Sequence, residues 1–95
     1  MAAIWYVKIT AKEGEEATVW DGLQRLAAPA RAVDGCEIFE VHREVEDPRR
    51  FSIYEKWRDH AAHDVHAAGD HFRDIAKAVV IDHSEPMDSI ELEVV

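Results

Sequence analysis

The stretch Ala2 to Ala11, AAIWYVKITA, limits the possible folds more than any other part of this 95-residue chain. Its Ile, Trp, Tyr and Val predict a β-strand. Alternate side chains of a strand point to opposite faces, and here apolar residues fall on both, with Lys8 and Thr10 the polar exceptions. A strand apolar on both faces needs a cover on both. Helices of the same chain supply one cover. A second sheet must supply the other, and a partner copy would bring it. A chain this short is near the lower limit for a self-sufficient core, and with 47% hydrophobic residues it gains core by pairing. A single domain, residues 1–95, assembling as a homodimer is the expectation. Trp5 and Tyr6 then read as core rather than as catalytic groups.

Lys12-Glu13-Gly14 reads as a turn, and Glu15-Glu16 place negative charge on the first turn of a helix, where the dipole favours it. Val19 or Trp20, Leu23, Leu26 or Ala27, Ala30 and Val33 follow with helical spacing. Pro29 is expected to kink or break this helix, and Asp34-Gly35 to stop it. Cys36–Val45 and Arg50–Trp57 flank the short polar turn Glu46-Asp47-Pro48-Arg49 and read as an antiparallel hairpin. A second helical region reaches from Asp59 to Val79, broken near Gly69, with Phe72, Ile75, Ala76 and Val79 lining its inner side. Beyond the irregular, Pro86-containing stretch 81–88, Ser89–Val95 alternates Ile90, Leu92 and Val94 against Glu91 and Glu93. One side of this last strand is wet, as at a sheet edge or in an arm laid on a partner. The order β-α-β-β-α-β predicts an α+β, ferredoxin-like fold with a four-stranded antiparallel sheet.

Chemistry concentrates in FSIYEKWRDHAAHDVHAAGDHF, residues 51–72. Phe51, Ile53, Glu55 and Trp57 share one strand face, so Glu55 interrupts an apolar row. Asp59 is placed to cap the next helix, on which Ala62, Val65 and His66 recur at i, i+3 and i+4. Two ionisable groups on two apolar faces joined by a short turn point to a pocket between strand and helix. A buried His66 satisfied by a backbone carbonyl is the competing reading. His60, His63 and His66 invite a metal reading, but the first and third lie about 120° apart on a helix, and zinc wants converging ligands. His60 and His63 are therefore read as solvated, with no metal. Cys36 has no neighbouring base in sequence and reads as a small buried hydrophobe rather than a nucleophile.

A net charge of −9 disfavours nucleic acid and anionic membranes as partners. No apolar run approaches the roughly 18 residues of a membrane span. The lone Cys36 fits a reducing compartment, and no signal-peptide pattern precedes the first strand, so a cytoplasmic location is expected.

Glu55-x-Trp57 followed by Asp59, then His66, then His71-Phe72, with Gly35-Cys36 and Glu40-Val41-His42-Arg43 ahead of Asp47-Pro48, resembles the antibiotic-biosynthesis-monooxygenase domain, in particular its quinol-monooxygenase-like members. The resemblance implies a ferredoxin-like unit paired into a dimeric α/β barrel, and oxygenation of a small phenol- or quinol-like aromatic by molecular oxygen without a cofactor. On that reading His66 is the general base, with an intrinsic pKa near the working pH. Trp57 stacks on or encloses the substrate, and Glu55 orients His66 or holds a substrate hydroxyl. Phe51, Ile53, Val65, His71 and Phe72 complete the substrate-binding wall. The chain has no dinucleotide fingerprint or phosphate loop. Haem-degrading relatives carry Trp at the position of His66 and His at that of Ala76, which sets this chain apart from them. Two other readings use the same pocket: an isomerase with the same base, and a non-catalytic dimer that binds a small ligand or another molecule.

Overall fold

The structure is a computed structural model describing residues 1–95. Strands β1 (Ala3–Thr10), β2 (Cys36–Arg43), β3 (Arg50–Trp57) and β4 (Asp88–Leu92) form one antiparallel sheet in the order β2-β3-β1-β4. Helices α1 (Glu16–Arg31), α2 (His60–Ala67) and α3 (Phe72–Val80) complete a ferredoxin-like α+β fold. A short 3-10 turn, Ile81–His83, leads towards β4.

Register divides the side chains between the two faces. Ala3, Trp5, Val7 and Ile9 of β1 stand opposite Trp57, Glu55, Ile53 and Phe51 of β3, and this face packs into the core with Val19, Leu23, Leu26 and Ala30 of α1. Ile4 and Tyr6 stand opposite Leu92 and Ile90 of β4 on the other face. On that second face Ile4 is buried, whereas Ile90 and Leu92 remain 46% and 40% exposed. β1 is thus apolar on both faces, as its sequence predicts.

The local signals explain most element ends. Asp59 caps α2, its Oδ1 accepting from the Ala62 amide at 2.9 Å, as its position before an Ala-rich run implies. The hairpin turn closes through Asp47, which accepts from the amides of Arg49 and Arg50. Gly35 has φ of +90°, a conformation that disfavours any side chain.

Three expectations are corrected. Pro29 does not break α1: the helix runs through it to Arg31. The bond it forfeits is to the carbonyl of Arg25, an exposed residue, and Pro29 itself lies in the last turn. Val45 lies outside β2 and is fully exposed. Finally, α3 is wound as a π-helix, the Ile81 amide bonding back to the carbonyls of Ala76 and Lys77. The wider turn moves Val80 rather than Val79 into the buried face, with Ala76. Val79, half-buried, and Val80 both lie over Gly22, where a Cβ would stand 2.7 Å and 3.1 Å from their methyls, so Gly22 lets α1 and α3 approach closely. No helix is long and apolar enough to cross a membrane.

Candidate active site

A cavity of about 350 Å³ opens between the helix-facing side of the sheet and the ends of α2 and α3. Most of its wall is apolar, including Trp5, Val7, Leu26, Phe39, Ile53, Phe72, Val80 and Met87. Three ionisable side chains reach it: Glu55 from β3, and His63 and His66 from α2. Glu55 and His66 are 5% and 2% exposed, so both polar groups sit in a water-poor setting.

Each is held by a different partner. Trp57 Nε1 donates to Glu55 Oε1 at 2.9 Å. His63 Nε2 lies 3.4 Å from the same oxygen, and its ring stacks on Trp5 with centroids 4.0 Å apart. His66 packs between Trp57, at 4.8 Å between centroids, and Phe72, at 5.4 Å and edge-on. His66 Nδ1 and His71 Nε2 share a hydrogen bond of 2.8 Å, which leaves Nε2 of His66 without a protein partner. Burial is the main cause that pushes the His66 pKa down to about 4; the His71 and His63 rings act in the same direction, and the Glu55 carboxylate opposes them. At neutral pH His66 is therefore an uncharged ring.

The chain places the predicted residues unevenly. Glu55, Ile53, His66 and Phe72 meet at the cavity. Trp57 does not face it: the ring is completely buried and supports both Glu55 and His66 from behind. Phe51 is buried against Trp20, with rings 5.6 Å apart and nearly parallel, and belongs to the core. Val65 is 63% exposed, because Ala62 and His66, four residues apart, take the inward face of α2. His71 stands behind His66 rather than in the wall. Glu55 makes no hydrogen bond to His66; the ring's hydrogen-bond partner is His71. The expected working pKa of His66 also changes, since burial takes it well below that of a free imidazole.

Much of the wall escaped the sequence analysis, Trp5 and His63 among it. Trp5 read as core yet is only half-buried, and its ring forms part of the cavity. His63 read as solvated yet is tucked between Trp5 and Glu55. The register pair Trp5–Glu55 was the available signal, but it needs knowledge of which strands are neighbours. His60 does remain largely exposed and pairs with Glu91 of β4. Cys36 is half-buried and its thiol pKa is raised, first by burial and then by Glu55, which disfavours a nucleophilic thiolate.

The chain matches the family model for antibiotic biosynthesis monooxygenase over residues 3–78, which includes every element that builds the cavity except the end of α3, the turn after it and β4. It belongs to that family. A solved structure from Pseudomonas aeruginosa is 26% identical with a TM-score of 0.91, the match covering 99% of this chain and 94% of that one. One from Shewanella oneidensis is 25% identical with a TM-score of 0.86, covering 96% and 88%. A structure described as an antibiotic biosynthesis monooxygenase is 22% identical, with a TM-score of 0.89 over 100% of this chain and 99% of that one, a likeness of fold. No curated protein matches the chain.

Proposed function

We propose that this family member is a cofactor-independent monooxygenase acting on a small phenol- or quinol-like aromatic. The observation that carries this reading is an uncharged imidazole with a free Nε2 beside a buried carboxylate in an otherwise apolar cavity. Trp5, Phe39 and Phe72 give a flat ring aromatic surfaces to lie against. A phenolic hydroxyl donates to Nε2 of His66, and a second hydroxyl, where present, donates to Glu55.

Proton transfer raises the electron density of the ring and prepares it to give electrons to O2. Moving a proton from a phenol of pKa about 10 to an imidazole of pKa about 4 is uphill by roughly 8 kcal/mol. That is about half of the roughly 16 kcal/mol barrier of an enzyme turning over about ten times per second. The step is therefore compatible with catalysis, and Glu55 stabilises the imidazolium formed. The balance closes without a further reductant: the phenol becomes a quinone as one oxygen atom of O2 enters the ring and the other leaves as water.

The second sheet face supports a homodimer as the working unit. Ile4, Tyr6, Ile90 and Leu92 lie together there, with Ile90 and Leu92 exposed, and a second copy in face-to-face contact gives the dimeric α/β barrel.

Incubation with a panel of quinols and polycyclic phenols, with and without O2, tests the assignment by mass spectrometry. A gain of oxygen that requires O2 supports it. A mass-neutral product points to an isomerase using the same base, and binding without product points to a ligand-binding module; either outcome overturns it.

A further inference from the structure

His66 lies on α2 and His71 begins the turn into α3, five residues later. On one continuous helix a pair at i, i+5 points to well-separated directions. Here the chain leaves α2 after Ala67, turns at Gly69, and brings the two rings together with Nδ1 of His66 2.8 Å from Nε2 of His71. Gly69 makes this possible. A Cβ at that position would stand 2.7 Å from Cε1 and 2.9 Å from Nδ1 of His71, inside any tolerable contact. The missing side chain at 69 leaves the space that the His71 ring occupies, and the short imidazole pair fixes the ring there.

We infer that His71 is a positioning residue that fixes the tautomer of His66, accepting its Nδ1 proton so that the Nε2 lone pair is left for a ligand hydroxyl. The choice between the two possible arrangements follows from what each leaves unpaired. Were His71 the donor, His66 would carry its proton on Nε2, an N–H turned into the apolar cavity with no protein acceptor. An N–H without an acceptor is rarer than an acceptor without a donor. With His66 as donor, the unpaired site in the cavity is a lone pair, and the remaining N–H of His71 lies on the more exposed ring, where water accepts it. Burial keeps His66 uncharged at neutral pH, so a single proton decides whether its cavity nitrogen accepts or donates. The ionisable groups facing His66 are Glu55 from β3, His63 on its own helix and His71; of these only His71 hydrogen-bonds to it. The same contact gives a proton taken at Nε2 a way out, since Nδ1 of His66 releases its own proton to His71 as the new one arrives.

The role rests on the cavity being the site proposed above, but its test does not need turnover. Long-range nitrogen–proton NMR correlations on nitrogen-15-labelled protein distinguish a protonated from an unprotonated ring nitrogen. At pH 7.0 or about that value, the wild-type protein is expected to show His66 with protonated Nδ1 and bare Nε2. Two substitutions are expected to shift His66 towards the Nε2–H form that an unconstrained neutral imidazole prefers. His71→Phe removes the acceptor, and Gly69→Ala displaces it while leaving every imidazole present. A wild-type His66 protonated on Nε2 overturns the inference, and that measurement needs no variant to fold. An Nδ1–H form that persists in both folded variants overturns it as well. A chain that makes no oxygenated product yet shows the expected tautomers separates failure of the activity from failure of this role.

Discussion

Trp57 and Glu55 are two residues apart on one strand face, and the indole N–H of the first donates to the carboxylate of the second at 2.9 Å with both side chains buried. Residues at i and i+2 of a strand lie side by side, so the local backbone alone brings them together. A buried carboxylate needs such donors, because an ion without them is costly to keep out of water. The largest fully buried side chain of the domain thus also holds the cavity's acidic group.

Trp57→Phe removes that donor and shrinks the core. Loss of a hydrogen bond to a charged group costs about 2 kcal/mol, and the melting temperature is expected to fall by on the order of 10 °C. Glu55→Gln keeps an oxygen that accepts from Trp57 and is expected to stay within a few degrees of wild type. Thermal melts of both variants check the contrast. If Glu55→Gln falls as far as Trp57→Phe, the carboxylate charge rather than the hydrogen bond is what stabilises the site.

His66→Gln separates chemistry from stability. Glutamine preserves hydrogen bonding but cannot accept a proton near neutral pH. Loss of a general base lowers turnover by about two to four orders of magnitude, while the melting temperature is expected to move by only a few degrees. Rates and melts on one preparation decide. A large loss of stability with unchanged specific activity would make His66 a core residue only.

Stability should also depend on pH through His66. Its pKa is about 4 in the folded chain against 6.5 as the ordinary value, so between these values the unfolded chain binds the extra proton. Stability therefore falls as pH drops through this window and levels off below about 4. A shift of that size corresponds to at most about 3 kcal/mol. Urea midpoints measured from pH 7 to pH 4, roughly, should show the slope, and His66→Gln should flatten it. The acid limb of the activity profile should likewise lie nearer 4 than 6.5.

Much of the fold was legible because its signals are local. The alternation of Phe51, Ile53, Glu55 and Trp57, the Asp59 cap and the Asp47-Pro48 turn each act within a few residues, and each is present in the structure. The cavity was legible in part. Glu55 and His66 stood out as ionisable groups on apolar faces, which is where the structure has them. The rest depends on contacts between distant elements. Trp5 enters the wall because β1 lies beside β3, and no spacing along the chain states that neighbourhood. His71 reaches His66 through a break between helices, and Val80 replaces Val79 because α3 winds more widely than an α-helix. Periodicity arguments assume one helix type throughout and miss both.

The open sheet face gives the last expectation. Ile4, Tyr6, Ile90 and Leu92 form an apolar row across β1 and β4 on the side away from the helices. A few hundred Å² of such surface buried on each chain at roughly 25 cal/mol per Å² contributes on the order of 10 kcal/mol, which exceeds the lower estimates of the entropy lost on association. Sedimentation at micromolar concentration is expected to give a dimer. Ile90 is central to the row yet 46% exposed within its own chain, so a charge there is tolerated by the free subunit but not by a paired face. Ile90→Asp should therefore shift sedimentation to the monomer with little change in the helical circular-dichroism signal. A wild-type chain that sediments as a stable, folded monomer would remove the barrel assembly altogether. A variant that stays dimeric would place the contact on another surface.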